Sequence, residues 1–568
     1  MISFLSIYHS HIVFVTMLLA VSILQGCSST KPYAEGDIKT FDPDTTHIER
    51  PEEQPQYQYW DRIDNTIFHQ LEKPLDLNRT VRFIGRKLGV SDKRQADNVN
   101  KLDEVPESSW YTRRHYFNEM SPKELAAGPN TGAPDTAGQW TIFRAKLEGA
   151  GSGFFIEDEN ENRYLIKFDG YDYPELTTAA EVIGTKIFYA AGYTVPESVI
   201  TYFDPDMVTI GEDVTVEENG EERPMTMADY RQIVKNRPTN TEGKVRALAS
   251  KFVDGIPLGP WNFEGTIKED PNDRVAHEHR RELRGMRVIS SWLNDTDRRD
   301  ANTMAVYNDS GYIEHYVQDF GNTLGANGTS IHQPIQGQAY LIDPRYMLVS
   351  AFSMGGYVTP WETIEVDIPY PAAGYFRADV FKPGRWVPTH PLPPFENMTL
   401  RDAFWGTKHV MSFSDEDIRA IVATGAYSNP DAEKYIVETL IARRDKIGRY
   451  WFARINPLDR FTSTIKENTL RLSFDDLAVS SDLVEASAHQ YQAQVKREQK
   501  TLFEELNAEG MEFRLDLNEI ISNSNQKTIL EFVIQTKGNA LVGKGKAVTV
   551  YIEMQNGKSR VVGIDREE

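Results

Sequence analysis

Two strand-like runs with polar side chains at their outer ends constrain this chain more than any other feature. The runs NTMAVYN and YIEHYVQ alternate in character, and Asp309-Ser310-Gly311 joins them as a tight turn would. Because a hairpin brings its open ends together, we expect Asn302 and Asp319 to lie side by side. Two oxygen-bearing side chains suit Mg²⁺, which fills the rest of its coordination shell with phosphate and water. The stretch therefore predicts a magnesium site.

An aspartate precedes this hairpin in the loop DTDRRDAN. Four residues separate Asp297 from Asn302, a spacing that suits a base aspartate followed by a metal-binding asparagine. A positioned carboxylate of this kind can take the proton from an attacking hydroxyl. Arg298 and Arg299 lie between the two residues, where we expect contact with phosphate. The alternative interpretation of the stretch is a helix, a polar turn and a hairpin with solvated acidic groups.

Glycines, a lysine and a glutamate precede this loop in the order that phosphate chemistry requires. Gly149, Gly151 and Gly153 lie between two predicted strands, where glycine lets the backbone approach a phosphate closely. Lys167 follows on the next strand, and Glu181 lies on the helix after it, at a position that allows it to face the lysine. A simple hairpin turn and a surface salt bridge are the alternative interpretations of these residues.

Lys167, Glu181, the loop DRRDAN and the stretch DFGNTLG together resemble the atypical protein-kinase-like fold of the HipA and CotH kinases. The phosphoinositide kinases are a more distant resemblance. In these families a DR…N loop replaces the His-Arg-Asp loop of eukaryotic kinases, and DRRDAN matches that pattern. The resemblance covers residues 138–455, and the chain departs from it in a long insertion over residues 203–280.

The resemblance implies an α+β fold with two lobes, an antiparallel sheet in the N-lobe and a mainly helical C-lobe. It also implies ATP and Mg²⁺ as cofactors. The glycine turn, Lys167 and Glu181 are expected to serve nucleotide binding. Asn302 and Asp319 are expected to bind the metal, and Asp297 to act as the catalytic base. The acceptor substrate is not specified by any motif.

The N-terminus predicts a lipoprotein signal. An apolar run of about a dozen residues precedes Leu24-Gln25-Gly26-Cys27. This order resembles the bacterial lipobox, which implies acylation of Cys27 and attachment of the chain to a membrane through its N-terminal lipid. Ser28 after the cysteine implies the outer membrane. An ordinary signal peptide with an incidental cysteine is the alternative.

Charge and composition divide the rest of the chain and exclude one class of partner. The formal net charge is −22 over 568 residues, and a chain this acidic repels phosphate backbones, so no nucleic acid is expected as a partner. The pattern predicts five segments: a signal peptide over 1–27, a disordered tether over 28–58, a helical and irregular region over 59–137, the kinase-like domain over 138–455, and a small β-rich module over 466–568.

Two functions follow from these patterns. The first is a lipid-anchored, Mg²⁺-dependent phosphotransferase that uses a nucleotide. The second is an outer-membrane lipoprotein that keeps the kinase-like fold as a binding or structural platform without catalysis. The first is the leading interpretation and the second is the alternative. The cell envelope normally holds little ATP, so a kinase there lacks its donor unless another source supplies it.

Overall fold

The computed structural model describes residues 31–53, 94–146, 152–218, 221–520, 527–538 and 545–568. Helices and several separate sheets both contribute to it, so the fold belongs to the α+β class. The helices of the described residues are α1 Pro122–Ala127, α2 Leu176–Ala190, α3 Met227–Val234, α4 Arg281–Leu293, α5 Pro344–Phe352, α6 Pro393–Asn397, α7 Leu400–Met411, α8 Asp415–Ala423, α9 Pro430–Phe452 and α10 Leu477–Ser480.

The strands before helix α5 form two sheets and two short hairpins. Their bounds are β1 Trp140–Ala145, β2 Gly153–Glu157, β3 Arg163–Lys167, β4 Ser198–Phe203, β5 Val208–Ile210, β6 Thr215–Glu218, β7 Glu221–Pro224, β8 Val245–Lys251, β9 Ile256–Gly259, β10 Thr303–Tyr307, β11 Ile313–Val317, β12 Ala326–Asn327 and β13 Ser330–Ile331. The largest of these sheets has six strands in the order β4-β8-β3-β2-β1-β5. All neighbours in it are antiparallel except β1 and β5.

The six-stranded sheet buries one face completely and leaves the other half-buried. Strands β1, β2 and β3 alternate so that one face carries a buried apolar set: Trp140, Ile142, Phe154, Ile156, Tyr164 and Ile166. Tyr230 of α3 packs over this face. Because successive side chains of a strand point to opposite faces, Leu165 and Lys167 lie on the other one. That second face is turned toward helix α2.

Part of the predicted insertion is wrong. Residues 203–280 contain strand β8, which lies between β4 and β3 in the six-stranded sheet. Every residue from Val245 to Ala249 is buried. The sequence VRALASK therefore lacks the alternation of apolar and polar residues that is typical of a half-exposed strand, and for that reason β8 is not predicted. Within the same segment, β6 and β7 pair only with each other, and β9 joins the sheet of β10 and β11.

The helical unit packs around a close crossing of α4 and α7. A Cβ atom on Gly285 would lie 2.5 Å from Trp405, and one on Gly406 would lie 2.5 Å from the carbonyl oxygen of Gly285. Both positions therefore need glycine for the backbones to approach. Helix α9 covers the pair, and Trp292 donates its indole N–H to the carbonyl of Leu440 at 2.8 Å.

The predicted hairpin is confirmed. Strands β10 and β11 pair antiparallel from Thr303 opposite Val317 to Tyr307 opposite Ile313. Strand β9 adds to the other side of β10. At the open end of the hairpin, the Gln318 N–H donates to the carbonyl of Asn302 at 3.0 Å. The hairpin thus holds residues 302 and 319 at one end of this small sheet.

The C-terminal strands form two sheets that share one apolar core. Their bounds are β14 Leu458–Lys466, β15 Thr469–Asp476, β16 His489–Arg497, β17 Lys500–Asn507, β18 Glu512–Asp516, β19 Thr528–Gly538, β20 Ala547–Gln555 and β21 Lys558–Arg566. Three strands form one sheet in the order β14-β15-β18, and five form the other in the order β17-β16-β19-β20-β21. Buried side chains of both sheets make a single cluster. Strand β14 begins at Leu458, before the expected boundary at residue 466.

Residues 31–53 are the described part of the predicted tether, and they make defined contacts in an extended conformation. The Ala34 N–H donates to the carbonyl of Val562 in β21, and the Ile48 N–H donates to the carbonyl of Gly311 at the tip of the β10–β11 hairpin, both at 2.8 Å. Between them, Asp44 accepts from the backbone and hydroxyl of Ser109. No helix within the described residues is long and apolar enough to cross a bilayer.

Candidate functional site

Three charged residues meet beside the end of strand β3. Lys167 Nζ lies 4.0 Å from Glu181 Oε2 on helix α2 and 3.9 Å from Asp319 Oδ1 after strand β11. The Glu181 side chain is 5% exposed, whereas that of Asp319 is 43% exposed. The lysine therefore links a buried carboxylate to one that faces solvent. The structure brings these three predicted residues together from separate elements.

Lys167 and Asp319 stabilise each other's charged forms, whereas burial raises the pKa of Glu181 against the effect of Lys167, and Asp319 adds to that rise. Burial alone would lower the pKa of Lys167, but Glu181 and Asp319 outweigh it and raise that pKa. Burial alone would raise the pKa of Asp319, but Lys167 and Arg298 outweigh it and lower that pKa. The lysine and Asp319 are consequently both charged at neutral pH, as the binding of a metal and a phosphate requires.

The backbone at Asp319 is held in an uncommon conformation. Its φ is +59°, a left-handed value that aspartate tolerates better than most residues. Arg298 donates through Nη1 to the carbonyl of Gln318 at 2.8 Å and through Nη2 to the carbonyl of Asp319. Asp295 pairs with Arg298 Nε at 2.7 Å. This network fixes the turn that aims the Asp319 carboxylate at Lys167.

The expectation that Arg298 contacts phosphate is wrong. Its side chain is fully buried, and its guanidinium is used by backbone carbonyls and by Asp295. Its role in holding the turn depends on tertiary contacts, and no spacing in the sequence indicates it. Arg299 differs, since its side chain is 21% exposed and its Nε lies 3.4 Å from Asp297 Oδ1.

Phe320 fixes the distance between this turn and helix α2. A Cβ on Gly184 would lie 2.6 Å from Phe320 Cβ, so only glycine allows this approach. The Phe320 ring also lies 4.7 Å from that of Phe188, centroid to centroid. Gly184 and Phe188 lie on the same helix as Glu181, and Phe320 directly follows Asp319. The packing of Phe320 therefore sets the separation between Glu181 and Asp319.

The carboxylate of Asp297 lies among amide and guanidinium donors. Asn302 Nδ2 donates to the carbonyl of Asp297 at 2.7 Å and approaches its Oδ2 at 3.4 Å. Asn322 Nδ2 donates to the same Oδ2 at 3.0 Å. Burial raises the pKa of Asp297, and Arg299 offsets part of that effect. Asn322 was not expected as a site residue, although it directly follows the Asp-Phe-Gly stretch.

The donors available to a metal are one carboxylate and one amide oxygen. Because Nδ2 of Asn302 is directed at Asp297, its Oδ1 points the other way, and Gln318 links its backbone to that of the Asp319 turn. Within the described residues no group of three or more histidine, cysteine, aspartate or glutamate side chains is placed to hold a metal. One or two protein oxygens with phosphate completing the shell is the arrangement that Mg²⁺ uses, and binding of Mg²⁺ by Asn302 and Asp319 stays a prediction.

Of the predicted glycines, only Gly153 can be placed. It opens strand β2 directly opposite Lys167, and a Cβ there would lie 2.2 Å from the carbonyl of Ile166. The same Cβ would lie 3.2 Å from Lys146 Cδ, so a second lysine runs over this position. Gly149 and Gly151 lie outside the described residues, as does Cys27.

Aromatic rings cover the sheet face that carries Lys167. Phe155 of β2 lies 6.1 Å from Phe143 of β1 and 5.7 Å from Phe252, measured between ring centroids. Phe143 and Phe252 are 5.9 Å apart. All three are partly exposed, and Leu165 pairs with Phe155 across the strands. The Arg144 guanidinium carbon lies 3.8 Å from the Phe155 ring centroid, and that of Arg163 lies 5.1 Å from the Phe143 ring centroid. The face that carries Lys167 therefore combines aromatic rings with cationic groups.

Two cavities lie away from this group. One of about 270 Å³ is lined by residues that include Trp261 and His277, and one of about 430 Å³ is lined by residues that include Phe252 and Tyr316. Neither is lined by Lys167 or Asp319.

Comparison of the chain with protein-family models, with curated proteins and with solved structures finds no match.

Proposed function

We propose that the chain is a lipid-anchored protein of the cell envelope whose residues 138–455 form a two-lobed, kinase-like domain. Its function is Mg²⁺-dependent transfer of a phosphoryl group from a nucleotide. The observation that carries this proposal is the position of Lys167 between Glu181 and Asp319, with the loop from Asp297 to Asn302 beside it. Phosphoryl transfer depends mainly on positioning and on charge stabilisation, and these are the groups it requires.

The distances around Lys167 support a role for this lysine in binding a ligand. Separations of 4.0 and 3.9 Å exceed the range of about 2.7–3.2 Å for direct hydrogen bonds. Lys167 would therefore not have to leave a direct hydrogen bond with either carboxylate in order to pair with a phosphate oxygen of a Mg²⁺-bound nucleotide. Asp319 would hold the metal together with Asn302, and the metal would neutralise charge on the phosphates.

Asp297 is the group best placed to act as base. It neighbours Asn302 through the bond from Nδ2 to its carbonyl, so a metal on Asn302 and a hydroxyl on Asp297 would be close together. The face formed by Phe143, Phe155 and Phe252 supports a nucleotide over a bare phosphate, because an aromatic base stacks on such rings.

One observation favours the second function, a binding platform without catalysis. Arg299 Nε lies 3.4 Å from Asp297 Oδ1, and a base that is paired with an arginine loses part of its affinity for a proton. In this alternative the protein binds a metal and a phosphorylated ligand and transfers nothing. A transfer assay separates the two functions.

The test of the proposal is a titration of the purified protein with Mg²⁺ and ATP, each alone and together. Saturable binding of ATP that requires Mg²⁺ is expected, and Lys167→Met should weaken it. Lys558→Met is a matched control, because Lys558 is an exposed lysine of strand β21, in the C-terminal sheets. Absence of binding by the unaltered protein with Mg²⁺, Mn²⁺ or Ca²⁺ would contradict the proposal.

The lipid anchor is tested independently. The sequence around Cys27 is the support for it, and stable anchoring needs two or more acyl chains. A Cys27→Ala variant should be found uncleaved or in the soluble fraction of cells. A variant that stays in the membrane fraction and is processed normally would remove the lipoprotein part of the proposal without affecting the nucleotide site.

A further inference from the structure

The side chain of Asn322 connects Asp297 to a small hairpin. Its Nδ2 donates to Asp297 Oδ2 at 3.0 Å, and its Oδ1 accepts from the backbone N–H of Gly328 at 2.6 Å. Gly328 lies in the turn between β12 and β13. One amide group thus bridges the loop that bears the candidate base and a turn on a different element.

These two bonds fix which way the amide faces. A backbone N–H can only donate, so the atom of Asn322 that meets Gly328 must be the oxygen. The nitrogen is then directed at Asp297, where it finds a carboxylate oxygen. An aspartate at position 322 could still accept from Gly328 but would offer no donor to Asp297. The substitution Asn322→Asp therefore keeps the bond from Gly328 and removes the one to Asp297.

The hairpin that anchors Asn322 is itself tied to the opposite side of the site. The Thr177 hydroxyl, in the first turn of helix α2, donates to the carbonyl of Gly328. A Cβ on Gly170, in the loop after β3, would lie 2.3 Å from the carbonyl of Thr329. Helix α2 carries Glu181 and strand β3 carries Lys167, so this chain of contacts links Asp297 to the elements of the lysine group.

We propose that Asn322 is a positioning residue that holds the Asp297 carboxylate in place for the attacking hydroxyl. This inference rests on the proposed phosphotransfer. Arg299 competes for the same carboxylate through its other oxygen, with Nε at 3.4 Å from Oδ1. The Asn322 bond at Oδ2 keeps the carboxylate from turning fully toward the arginine, and Oδ1 keeps a lone pair that can accept from a substrate hydroxyl.

A change at Asn322 should therefore lower the rate of transfer without weakening the binding of the nucleotide. Asn322 makes no bond to Lys167, Asn302 or Asp319 among its side-chain bonds to described residues, so the metal and phosphates keep their ligands when it is changed. Misplacement of a reacting group by about 1 Å can cost about 100-fold in rate. We expect Asn322→Asp and Asn322→Ala to lower kcat by about 10- to 100-fold and to leave the KM for Mg·ATP within about twofold.

The experiment measures phosphate release from Mg·ATP, with water as acceptor, and Mg·ATP binding, for the full chain and three variants. Asn327→Ala is the matched control, because Asn327 is an exposed asparagine of the same hairpin. Asn322→Asp preserves the acceptor for Gly328 and replaces the donor to Asp297 with a negative charge, whereas Asn322→Ala removes both bonds without adding a charge. Thermal unfolding of each variant shows whether the fold is kept.

Each result decides the inference. A fall in kcat for both Asn322→Asp and Asn322→Ala with unchanged KM, and no effect of Asn327→Ala, supports it. An unchanged kcat for Asn322→Asp overturns it and leaves the proposed function standing. Binding of Mg·ATP by the unaltered chain without phosphate release overturns it together with the catalytic function, in favour of the platform. No binding at all overturns the proposed function itself, and the inference with it.

Discussion

Two groups of paired charges in this molecule differ in their geometry. The first, the cleft cluster, consists of Lys167, Glu181 and Asp319. The second, the interface cluster, lies where four parts of the chain meet: the region before α1, helix α4, helix α7 and the C-terminal sheets. Its members are Asp103, Glu104, Arg281, Arg284, Arg401, Asp402, Lys408, Asp459 and Arg566.

The interface cluster is tightly paired and almost entirely dry. Lys408 Nζ lies 3.0 Å from Asp459 Oδ2, and Arg566 Nη2 lies 2.8 Å from Asp459 Oδ1. The side chains of these three residues are at most 4% exposed. Lys408 and Arg566 also lower the pKa of Asp459 well below its usual range against the effect of burial. Every charge in this example is neutralised within the protein.

The cleft cluster has longer distances and reaches solvent. Lys167 is 23% exposed and about 4 Å from each carboxylate. Desolvation of a buried pair is offset only when the geometry is tight and the hydrogen bonds are complete. The interface cluster has the tighter geometry, although Glu104 Oε2, Arg281 Nη2 and Arg566 Nε have no hydrogen-bond partner among the described residues. The difference in distance is the one expected between charges that join parts of a fold and charges that bind a ligand.

The strongest way to break this comparison is to remove the candidate base from the cleft. Asp297→Ala should lower phosphate release from Mg·ATP by about 10²–10⁴-fold, since a positioned base contributes that much. Mg·ATP binding should change little, because the proposed metal ligands stay. The measurement is a steady-state rate beside a binding titration.

Asp309→Asn provides the control for this change. Asp309 is exposed at the far tip of the β10–β11 hairpin, so its replacement should leave both binding and rate unchanged. A rate of Asp297→Ala equal to that of the unaltered protein would assign the cleft to a binding platform.

A second prediction compares the same substitution in the two clusters. Lys408→Met leaves Asp459 without one of its two cations and Glu104 without its partner, and should lower the free energy of unfolding by about 3–5 kcal/mol. Lys167→Met should lower it by only about 1–2 kcal/mol, because this lysine is partly solvated. Denaturant unfolding of both variants gives the two values. Equal losses would mean that the clusters do not differ in function as proposed.

Removal of the proposed metal ligand should affect binding and spare the fold. Asp319→Asn keeps the shape of the side chain and removes the charge that holds Mg²⁺. Since metal-based charge stabilisation is worth several kcal/mol, the Mg²⁺-dependent affinity for ATP should fall by about 100-fold or more. Isothermal titration in Mg²⁺ and in chelator measures this. Affinity that is equally high in chelator would show that no metal is involved.

The contrast between the clusters also marks what the sequence could predict. The hairpin, the strand of Lys167 and the helix of Glu181 follow from local periodicity and turn residues, and each is observed. The interface cluster does not follow from any pattern, because Asp103 and its partner Arg281 are 178 residues apart. Such pairs depend on how whole helices and strands pack together, and the spacing of residues along the sequence does not predict that packing.

Within the site itself the same limit applies. Lys167, Glu181 and Asp319 were expected from their order along the chain, whereas the roles of Arg298 and Asn322 were not. Arg298 acts on backbone carbonyls, and carbonyls carry no sequence signal. Asn322 acts through Gly328, a residue whose turn could be recognised only after β12 and β13 were placed.

The smallest expected effect concerns the aromatic face beside the cleft cluster. Phe155→Ala removes the central ring of the three, which lies within 6.1 Å of both others. Stacking of a base on an aromatic side chain contributes about 1–3 kcal/mol, so affinity for Mg·ATP should fall by about tenfold. Affinity for Mg·triphosphate should be unchanged, because that probe has no base to stack. Phe41→Ala is the control, as Phe41 is 49% exposed in the extended N-terminal segment. Equal losses for both probes would mean that the rings only support the sheet, and the cleft would then recognise phosphate and metal without a nucleoside.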